Sequence, residues 1–223
     1  MYIVTIDGPA ASGKSTVAKL VAQKLNIVHI NSGEAYRAIA YFMLNSEIAP
    51  TDKQSVLSAL KSNTFDMKYI DGKQILLVNG LDVTNYLHTN QVNEVVSRYS
   101  TIPEVIYTAC DMARKLCKDM SIVMEGRNIG SFCFPEADYK FYVDCDAKER
   151  AIRRYKEMLQ KGMDVDFESI YKQTIERDNL DKNRAVAPLI VPEGAVMLDS
   201  TKLTPEQVAD QIAQIILDNQ QLL

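Results

Sequence analysis

The sequence predicts an α/β protein in which helices flank a parallel five-stranded sheet. Short β-rich runs alternate with amphipathic helical runs, the pattern produced by parallel strands joined by crossover helices. A glycine-rich loop joins the first strand to the first helix, and Asp-Gly and Asn-Gly turns mark a small antiparallel insert. The 223 residues are enough for one large domain or for a core with inserted subdomains.

The glycine-rich loop is the most specific motif in the chain. Residues 8–15 read Gly-Pro-Ala-Ala-Ser-Gly-Lys-Ser and match G-x-x-x-x-G-K-[ST] in full. A β-rich run at residues 2–6 precedes the loop, and residues 16–25 follow it with apolar side chains at helical spacing. In such a loop, backbone N–H groups and the helix N-terminus surround a phosphate. Lys14 would reach the terminal phosphates, and the Ser15 hydroxyl would bind Mg²⁺. The motif predicts a P-loop NTPase fold.

The next part of the chain predicts one more strand and helix, and then the insert. A second strand at residues 27–30 leads into the turn and N-cap signature at Asn31-Ser32, and Asp52 caps a later helix. From residue 64 the pattern changes, because β-rich runs are joined by the two strongest short hairpin signals, Asp71-Gly72 and Asn79-Gly80. We expect helices at residues 35–43 and 52–60, and insert strands at 65–70, 74–78 and 81–83.

The second half of the chain returns to alternating strands and helices. Pro103 suits the first turn of a helix that we expect to end near Lys118, and Gly162 interrupts a later helical pattern. The expected helices lie at about residues 91–99, 103–118, 147–160 and 166–181, with a last one starting at 204–206. The expected strands lie at residues 121–124, 138–143 and 196–198, which brings the sheet to five.

Composition excludes several classes of protein. With 47% hydrophobic and 24% charged residues and a net charge of −4, the chain is typical of a globular protein and lacks the basic character of nucleic-acid binders. It shows no signal-peptide pattern and no apolar run of the roughly 20 residues that cross a membrane, so we expect a cytoplasmic protein with no membrane partner. The four cysteines and two histidines lack metal-ligand spacing, which favours reduced structural thiols.

Arginines are the candidates for binding phosphate. Ligands of parallel sheets bind beyond the carboxyl ends of the strands, so we expect the glycine loop, Ser32, Arg127 and Asp144 to face one cleft. The planar guanidinium group binds phosphate bidentately, and charges around a moving phosphoryl group are what its transfer requires. The candidate arginines are Arg37, Arg127, Arg150, Arg154, Arg177 and Arg184.

One alternative stays open for the arginines of the helix at 147–160. Arg150, Arg153 and Arg154 share it with Glu149 and Glu157, so a solvated charged face is an equally good interpretation. A switch GTPase or a motor ATPase is disfavoured, because no D-x-x-G follows a strand, no guanine-recognition aspartate follows residues 183–184, and no strand ends in an acidic pair. A small kinase is therefore the favoured class.

Segments along nearly the whole chain resemble those of bacterial cytidylate kinases, P-loop enzymes that phosphorylate CMP and dCMP. The matching segments, in chain order, are residues 5–16 with the family's opening, 31–37 with D-S-G-x-x-Y-R, 125–135 with E-G-R-D-I-G…F-P, 149–154 with E-R-A-x-R-R, 177–189 with R-D-x-x-D-x-x-R-A-V-A-P-L, and 198–201 with the L-D-[ST] close. The segment at 177–189 is the most specific, and the antiparallel insert is also a family trait.

The resemblance implies a domain organisation and a set of site residues. The core would comprise residues 1–31, 101–150 and 186–223, the nucleoside monophosphate (NMP) binding domain 32–100 with its insert at about 64–84, and a short helical lid 151–185. The implied ATP-binding residues are Gly8, Pro9, Ala10, Ala11, Ser12, Gly13, Lys14, Ser15, Thr16, Arg150 and Arg154, with Mg²⁺ on Ser15. The residues implied to bind the acceptor are Ser32, Arg37, Ser97, Ile106, Arg127, Asn128, Arg177, Asp181 and Arg184. The implied catalytic residues are Lys14, Arg127, Arg177 and Arg184.

Two positions depart from the family pattern in the cytosine pocket that the resemblance implies. Ile106 stands where the family has the arginine of P-x-V-R, and Asn128 stands where it has the aspartate of E-G-R-D. Loss of a charge-assisted hydrogen bond to a buried base edge costs about 1.5–3 kcal/mol. One hypothesis is altered base selectivity, for example toward a modified pyrimidine nucleotide. The other is an ordinary cytidylate kinase in which Tyr99 or Tyr107 compensates.

The expected function is transfer of the ATP γ-phosphate to CMP or dCMP by a monomer whose partners are ATP and a nucleoside monophosphate. The alternatives are a kinase for another small acceptor and a nucleotide-sensing module without turnover. Arg177, Asp181 and Arg184 together favour a nucleotide acceptor. The intact Lys14 and Ser15 favour turnover.

Overall fold

The computed structural model describes residues 1–117 and 120–221. The end that we predicted for one helix, near Lys118, lies outside the described residues. The chain divides into two compact units, of which the first holds residues 1–29, 120–184 and those from 188 onward, and the second holds residues 30–117 and 185–187. Of our predicted lid, residues 151–185, the part up to residue 184 belongs to the first unit. The division into core, NMP-binding domain and lid stays a prediction.

The first unit is built on the predicted five-stranded sheet, in the order β2-β6-β1-β7-β8. The strands are β1 (Ile3–Asp7), β2 (Val28–Asn31, which continues into the second unit), β6 (Ile122–Gly126), β7 (Tyr139–Asp144) and β8 (Val196–Asp199). β1 pairs in parallel with β6 and β7, and Asp7 lies opposite Gly126 on one side and Tyr142 on the other. The carboxyl ends of the three central strands therefore meet where the glycine-rich loop begins, and the predicted α/β class is confirmed.

Four helices complete the described part of the first unit. They are α1 (Lys14–Leu25), α6 (Ala147–Gln160), α7 (Phe167–Lys182) and α8 (Pro205–Gln220). Side chains of β1, α1 and α8 form one buried core cluster, in which Val4, Val21 and Ile212 are fully shielded from solvent. Thr204 and Gln207 cap the start of α8 reciprocally. This core fixes α1 against the sheet.

The second unit contains the predicted antiparallel insert. Its elements are α2 (Gly33–Asn45), α3 (Lys53–Ser62), β3 (Phe65–Ile70), β4 (Lys73–Val78), β5 (Leu81–Asp82), a 3₁₀ turn (Thr84–Tyr86), α4 (Asn90–Tyr99) and α5 (Pro103–Leu116). β3, β4 and β5 pair antiparallel in that order. Asp71 and Gly72 have φ of 50° and 77°, and Asn79 and Gly80 have φ of 51° and 77°, as type I′ hairpin turns require.

Element boundaries lie within about two residues of those predicted, the usual scatter for helix and strand ends. Among the described residues, the 3₁₀ turn Thr84–Tyr86 and the π-helical turn Ile129–Cys133 had no counterpart in the prediction. Across residues 1–117 and 120–221, no helix is both long and apolar enough to cross a membrane.

Candidate active site

The glycine-rich loop connects the end of β1 to the start of α1. Gly8 must be a glycine, because a Cβ there would lie 2.2 Å from the carbonyl oxygen of Val143 at the end of β7. Ala11 adopts a φ of 57° and Gly13 a φ of 88°, which turns the loop into the first turn of α1. Lys14 folds back over the loop, and its Nζ donates a hydrogen bond to the Pro9 carbonyl at 2.9 Å. The loop thus has the form that wraps backbone N–H groups around a phosphate.

Lys14 is buried, and this changes its protonation. Burial lowers the pKa of Lys14 to about 7, and the positive charge of Arg127 lowers it as well, while Glu125, Asp181 and Asp7 raise it. Loss of hydration disfavours the charged ammonium, and a nearby anion restores it. A phosphate bound in the loop would therefore favour the charged form of Lys14.

Asp7 ties the start of the loop to the turn that follows β6. Its two carboxylate oxygens accept hydrogen bonds from the backbone N–H groups of Ile129 and Gly130, each at 2.7 Å. Burial raises the pKa of Asp7 to about 6, against the opposing effect of these two hydrogen bonds and of Lys14. Both donors lie in the π-helical turn Ile129–Cys133, so Asp7 holds the segment beside Arg127 in place. Our sequence prediction gave Asp7 no role beyond its place in the family's opening.

Three arginines surround the carboxylate of Asp181 in the first unit. Arg127 and Arg177 donate to Oδ2 through Nε at 2.9 and 3.3 Å, and Nη2 of Arg184 lies 4.0 Å from Oδ1. Asp181 is 2% exposed, and burial alone would raise its pKa, but the three arginines lower it below its usual value. We call these four residues the arginine cluster.

The sequence explains how the arginine cluster assembles. Arg177 and Asp181 are four residues apart, so they share one face of α7. Arg127 comes directly after β6, and Arg184 follows the end of α7. Within the described chain, Asp181 accepts hydrogen bonds from Nε of both Arg127 and Arg177. The Nη atoms of these two arginines can therefore donate to another acceptor, such as a bound anion. Three positive charges around one carboxylate form a site for an additional anion, such as a phosphoryl group.

The arginines of α6 lie in three different environments. Arg150 is buried and bound to both carboxylate oxygens of Asp178. Arg153 donates to the backbone carbonyls of Ser200 and Thr201 at 2.7 and 3.3 Å, and Arg154 is exposed and paired with Glu157. The solvated-face interpretation is therefore wrong for Arg150, whereas it describes Arg154.

A cavity of about 470 Å³ adjoins the glycine-rich loop within the first unit. Its lining includes Gly13 and Thr16 from the loop end, Arg153 and Arg154 from α6, and the segment from Ser200 to Val208. The Ser200 hydroxyl donates to the Ser12 carbonyl at 3.0 Å, which joins this segment to the loop. Sequence reasoning did not assign Arg153 or Ser200 to a site, although both lie in segments that resembled the family.

The other predicted acceptor residues lie in the second unit. Ser32 is the N-cap residue of α2 and is buried, and Ser97 is half-buried on α4. Arg37 donates through Nη1 to the Leu87 carbonyl at 3.1 Å and to Asn93 Oδ1 at 2.6 Å. That the candidate site residues of the two units face a single cleft stays a prediction.

Ile106 and Asn128, the two departures from the family pattern, are both buried. Ile106 on α5 is fully shielded from solvent. Asn128 is 2% exposed, and its Nδ2 has no hydrogen-bond partner in the described part of the chain. Of the two tyrosines suggested as compensating groups, Tyr99 is buried and donates its hydroxyl hydrogen to the Ile48 carbonyl at 2.5 Å, whereas Tyr107 is half exposed.

The sequence profile of the cytidylate kinase family matches residues 4–218. The chain belongs to the cytidylate kinase family. A curated cytidylate kinase of a Geobacillus species is 38% identical over 213 residues, which are 96% of this chain and 95% of that protein. One from Clostridium botulinum is also 38% identical over 213 residues and covers 96% of both chains. The resemblance that the motifs indicated is confirmed.

A solved structure supports the fold. An uncharacterised protein from Eubacterium ventriosum has a TM-score of 0.51 with this chain at 12% identity, covering 97% of this chain and 98% of that one. At this identity the likeness shows the fold alone. Membership of the cytidylate kinase family makes the chain an enzyme, a P-loop kinase, and does not favour the nucleotide-sensing alternative.

P-loop NTPases bind the phosphates of their nucleotide together with Mg²⁺. Among the described residues, no group of three or more His, Cys, Asp or Glu side chains could hold a metal ion by itself. Mg²⁺ does not need such a group, since it keeps several waters and binds through one or two protein oxygens plus the phosphates. Ser15, half-buried on the first turn of α1, fits that role, whereas Asp7 has both oxygens bound to backbone N–H groups.

Proposed function

We propose that this protein transfers the γ-phosphate of ATP to CMP or dCMP, giving ADP and CDP or dCDP. The observation that carries the proposal is that the first unit holds both Lys14 and the arginine cluster at the carboxyl end of one sheet. They are close enough for the charges of Arg127 and Asp181 to affect the pKa of Lys14. Transfer of a phosphoryl group needs this kind of fixed positive charge on the moving group.

ATP would bind in the first unit. Its phosphates would lie in the loop Gly8–Thr16, and its nucleoside in the cavity beside Gly13, which Arg153 and Arg154 line. Mg²⁺ held by Ser15 would neutralise charge on the phosphates. Lys14 would contact the terminal phosphates and balance charge during transfer.

The acceptor's phosphate would be bound by arginines. Arg127, Arg177 and Arg184 are our candidates in the first unit, and Ser32 and Arg37 are the candidates in the second. Ser97 is our candidate for contact with the base. This assignment rests on the family resemblance and on the chemistry of the side chains. The family resemblance implies that Asp181 binds the acceptor's ribose, and its hydrogen bonds to Nε of Arg127 and Arg177 would in addition orient these two arginines.

Asn128 is our candidate for contact with the base, because its buried amide nitrogen has no partner within the described chain. Ile106 offers no hydrogen bond and would contribute only apolar contact. An ordinary preference for cytosine nucleotides is the favoured outcome, given the family to which the chain belongs. We also propose that the enzyme is a cytoplasmic monomer. Light scattering after size-exclusion chromatography would test the oligomeric state.

The first test is a steady-state assay of the wild type with ATP and, in parallel, CMP, dCMP, UMP, dTMP and AMP. We expect CMP and dCMP to give the highest kcat/KM. Lys14→Met should lower kcat/KM on CMP by at least about 100-fold while retaining the fold, since it removes one transition-state charge. Lys24→Met makes the same change near the end of α1, where Lys24 pairs with exposed Asp210, and should be nearly wild type. Full activity of Lys14→Met, or a clear preference for another acceptor, would overturn the proposal.

A further inference from the structure

Arg150 is almost completely enclosed by hydrogen-bond acceptors. It is 3% exposed, on α6. Its Nε donates to the Cys145 carbonyl at 2.9 Å, and Nη1 donates to the Ala10 carbonyl at 3.2 Å. Nη1 and Nη2 also donate to the two carboxylate oxygens of Asp178, at 2.9 and 2.5 Å. These bonds use four of the five N–H donors of an arginine, which leaves little capacity for a phosphate.

These acceptors belong to three separate parts of the first unit. Ala10 lies in the glycine-rich loop, Cys145 follows the end of β7, and Asp178 lies on α7. One guanidinium group therefore links the loop that would hold the triphosphate to the helix that carries part of the arginine cluster. The bidentate pair with Asp178 is directional, so it fixes geometry as well as distance.

Asp178 is well placed to orient the arginine cluster. It comes one residue after Arg177 and three before Asp181 on α7, and all three lie within one continuous helix. A helix is rigid over this length, so fixing Asp178 also fixes the rotation and axial position of its neighbours. Asp181 in turn holds Arg127 and Arg177.

We propose that Arg150 is a positioning residue, which holds α7 in register with the glycine-rich loop through Asp178 and does not bind ATP itself. The inference rests on the proposed phosphoryl transfer, because positioning matters only if the loop and the cluster act on one phosphoryl group. It replaces the ATP-binding role that the family resemblance implied for Arg150. Arg153 lies beside the end of the loop, where its Nη1 would be 3.8 Å from a Cβ on Gly13.

Three variants separate this role from ATP binding and from plain stabilisation. Asp178→Asn keeps the shape of the side chain but weakens the bidentate bond, and Arg150→Lys keeps the charge but cannot span the same acceptors. The double variant Arg150→Met with Asp178→Leu removes both buried charges together, a change that often preserves stability where a single removal does not. Asp210→Asn, in an exposed pair with Lys24, is the matched control for loss of an aspartate charge.

The readouts are kcat and KM with ATP and CMP varied separately, the Kd for ATP from equilibrium titration, and the melting temperature. We expect kcat to fall at least tenfold in Asp178→Asn, in Arg150→Lys and in the double variant, even where the double variant melts like the wild type. We expect KM and Kd for ATP to stay within threefold of wild type. The control should match the wild type in every readout.

Several results would overturn the inference. A tenfold rise in the Kd for ATP in Arg150→Lys, with a normal value in Asp178→Asn, would make Arg150 an ATP ligand. A double variant with wild-type kcat would reduce the pair to a stabilising contact, and wild-type kcat in Asp178→Asn would exclude any action through Asp178. A wild type that binds ATP but does not phosphorylate CMP or dCMP would instead refute the proposed function, and the Kd comparison would still decide whether Arg150 binds ATP.

Discussion

At the scale of single residues, the site depends on charges that are buried before any substrate binds. Lys14 is 5% exposed, and its pKa is lowered to about 7 by burial and by Arg127. A lysine in this state is only partly charged near neutral pH, because its ammonium has lost hydration without gaining a full counter-ion. Binding of a phosphate supplies the missing anion. Proton uptake by Lys14 and ATP binding should therefore be coupled.

This coupling predicts that ATP binds more weakly as the pH rises above about 7. Below that pH Lys14 is already charged in the free enzyme, so its contribution does not change. Above it, binding must add a proton to Lys14, and the Kd for ATP should rise by up to about tenfold per pH unit. Titration calorimetry between about pH 7.5 and 9, where ATP stays fully ionised, measures both the Kd and the proton uptake.

Lys14→Arg provides the control for this pH dependence. Arginine keeps its charge throughout that range, so any binding that the variant retains should not vary with pH and should take up no proton. A wild-type Kd that is constant over the same range would contradict the prediction.

Residue identity alone did not reveal these environments. Arg150 and Arg154 are the same residue type on one helix and in one matching segment, yet Arg150 is buried against Asp178 and Arg154 is exposed beside Glu157. What distinguishes them is the position of α7, because Arg150 contacts Asp178 on that helix, 28 residues further along the chain. Local spacing predicted the helix and its arginines, but their burial depends on contacts that local spacing does not describe.

At the scale of elements, the strands and helices were predictable because their signals are local. Apolar periodicity, the Asp-Gly and Asn-Gly turns and the N-cap residues each act within a few positions. The π-helical turn Ile129–Cys133 lacked such a signal. Its backbone is held by Asp7, 122 residues away from Ile129 in sequence, so the turn depends on the pairing of β1 with β6. Turns of this kind are frequent at functional sites, and this one follows Arg127.

A substitution at Gly130 tests the close contact between β1 and this turn. A Cβ at Gly130 would lie 2.6 Å from Thr5 Oγ1 and 3.3 Å from Asp7 Oδ2. Gly130→Ala should therefore destabilise the protein by about 1–3 kcal/mol, the usual cost of overpacking, as measured by urea unfolding.

Removal of the clashing atom should restore part of this stability. Thr5 Oγ1 is buried without a hydrogen-bond partner in the described chain, so Thr5→Ala alone should cost little beyond the lost methyl contact. The double variant Thr5→Ala with Gly130→Ala should be more stable than Gly130→Ala. A double variant whose losses simply add would show that the close contact with Thr5 is not the cause.

At the scale of the whole molecule, the site residues divide between two units. The glycine-rich loop, the cavity beside it and the arginine cluster all belong to the first unit, while Ser32, Arg37 and Ser97 belong to the second. The sequence predicted the fold class and the insert, but local patterns did not define the two compact units into which the chain divides. That division depends on long-range packing, which a pattern of local elements leaves undetermined.

This division predicts that the two substrates respond to substitutions in different units. Arg37→Met, in the second unit, should raise KM for CMP by at least about tenfold, since a charge-assisted hydrogen bond to a phosphate contributes about 1.5–3 kcal/mol. KM for ATP should change less than about twofold, a difference below 0.5 kcal/mol. Arg98→Met removes an exposed arginine of α4 in the same unit and should leave both KM values unchanged. Equal increases in both KM values for Arg37→Met would instead mean that Arg37 acts through the stability of its unit, where it already binds Leu87 and Asn93.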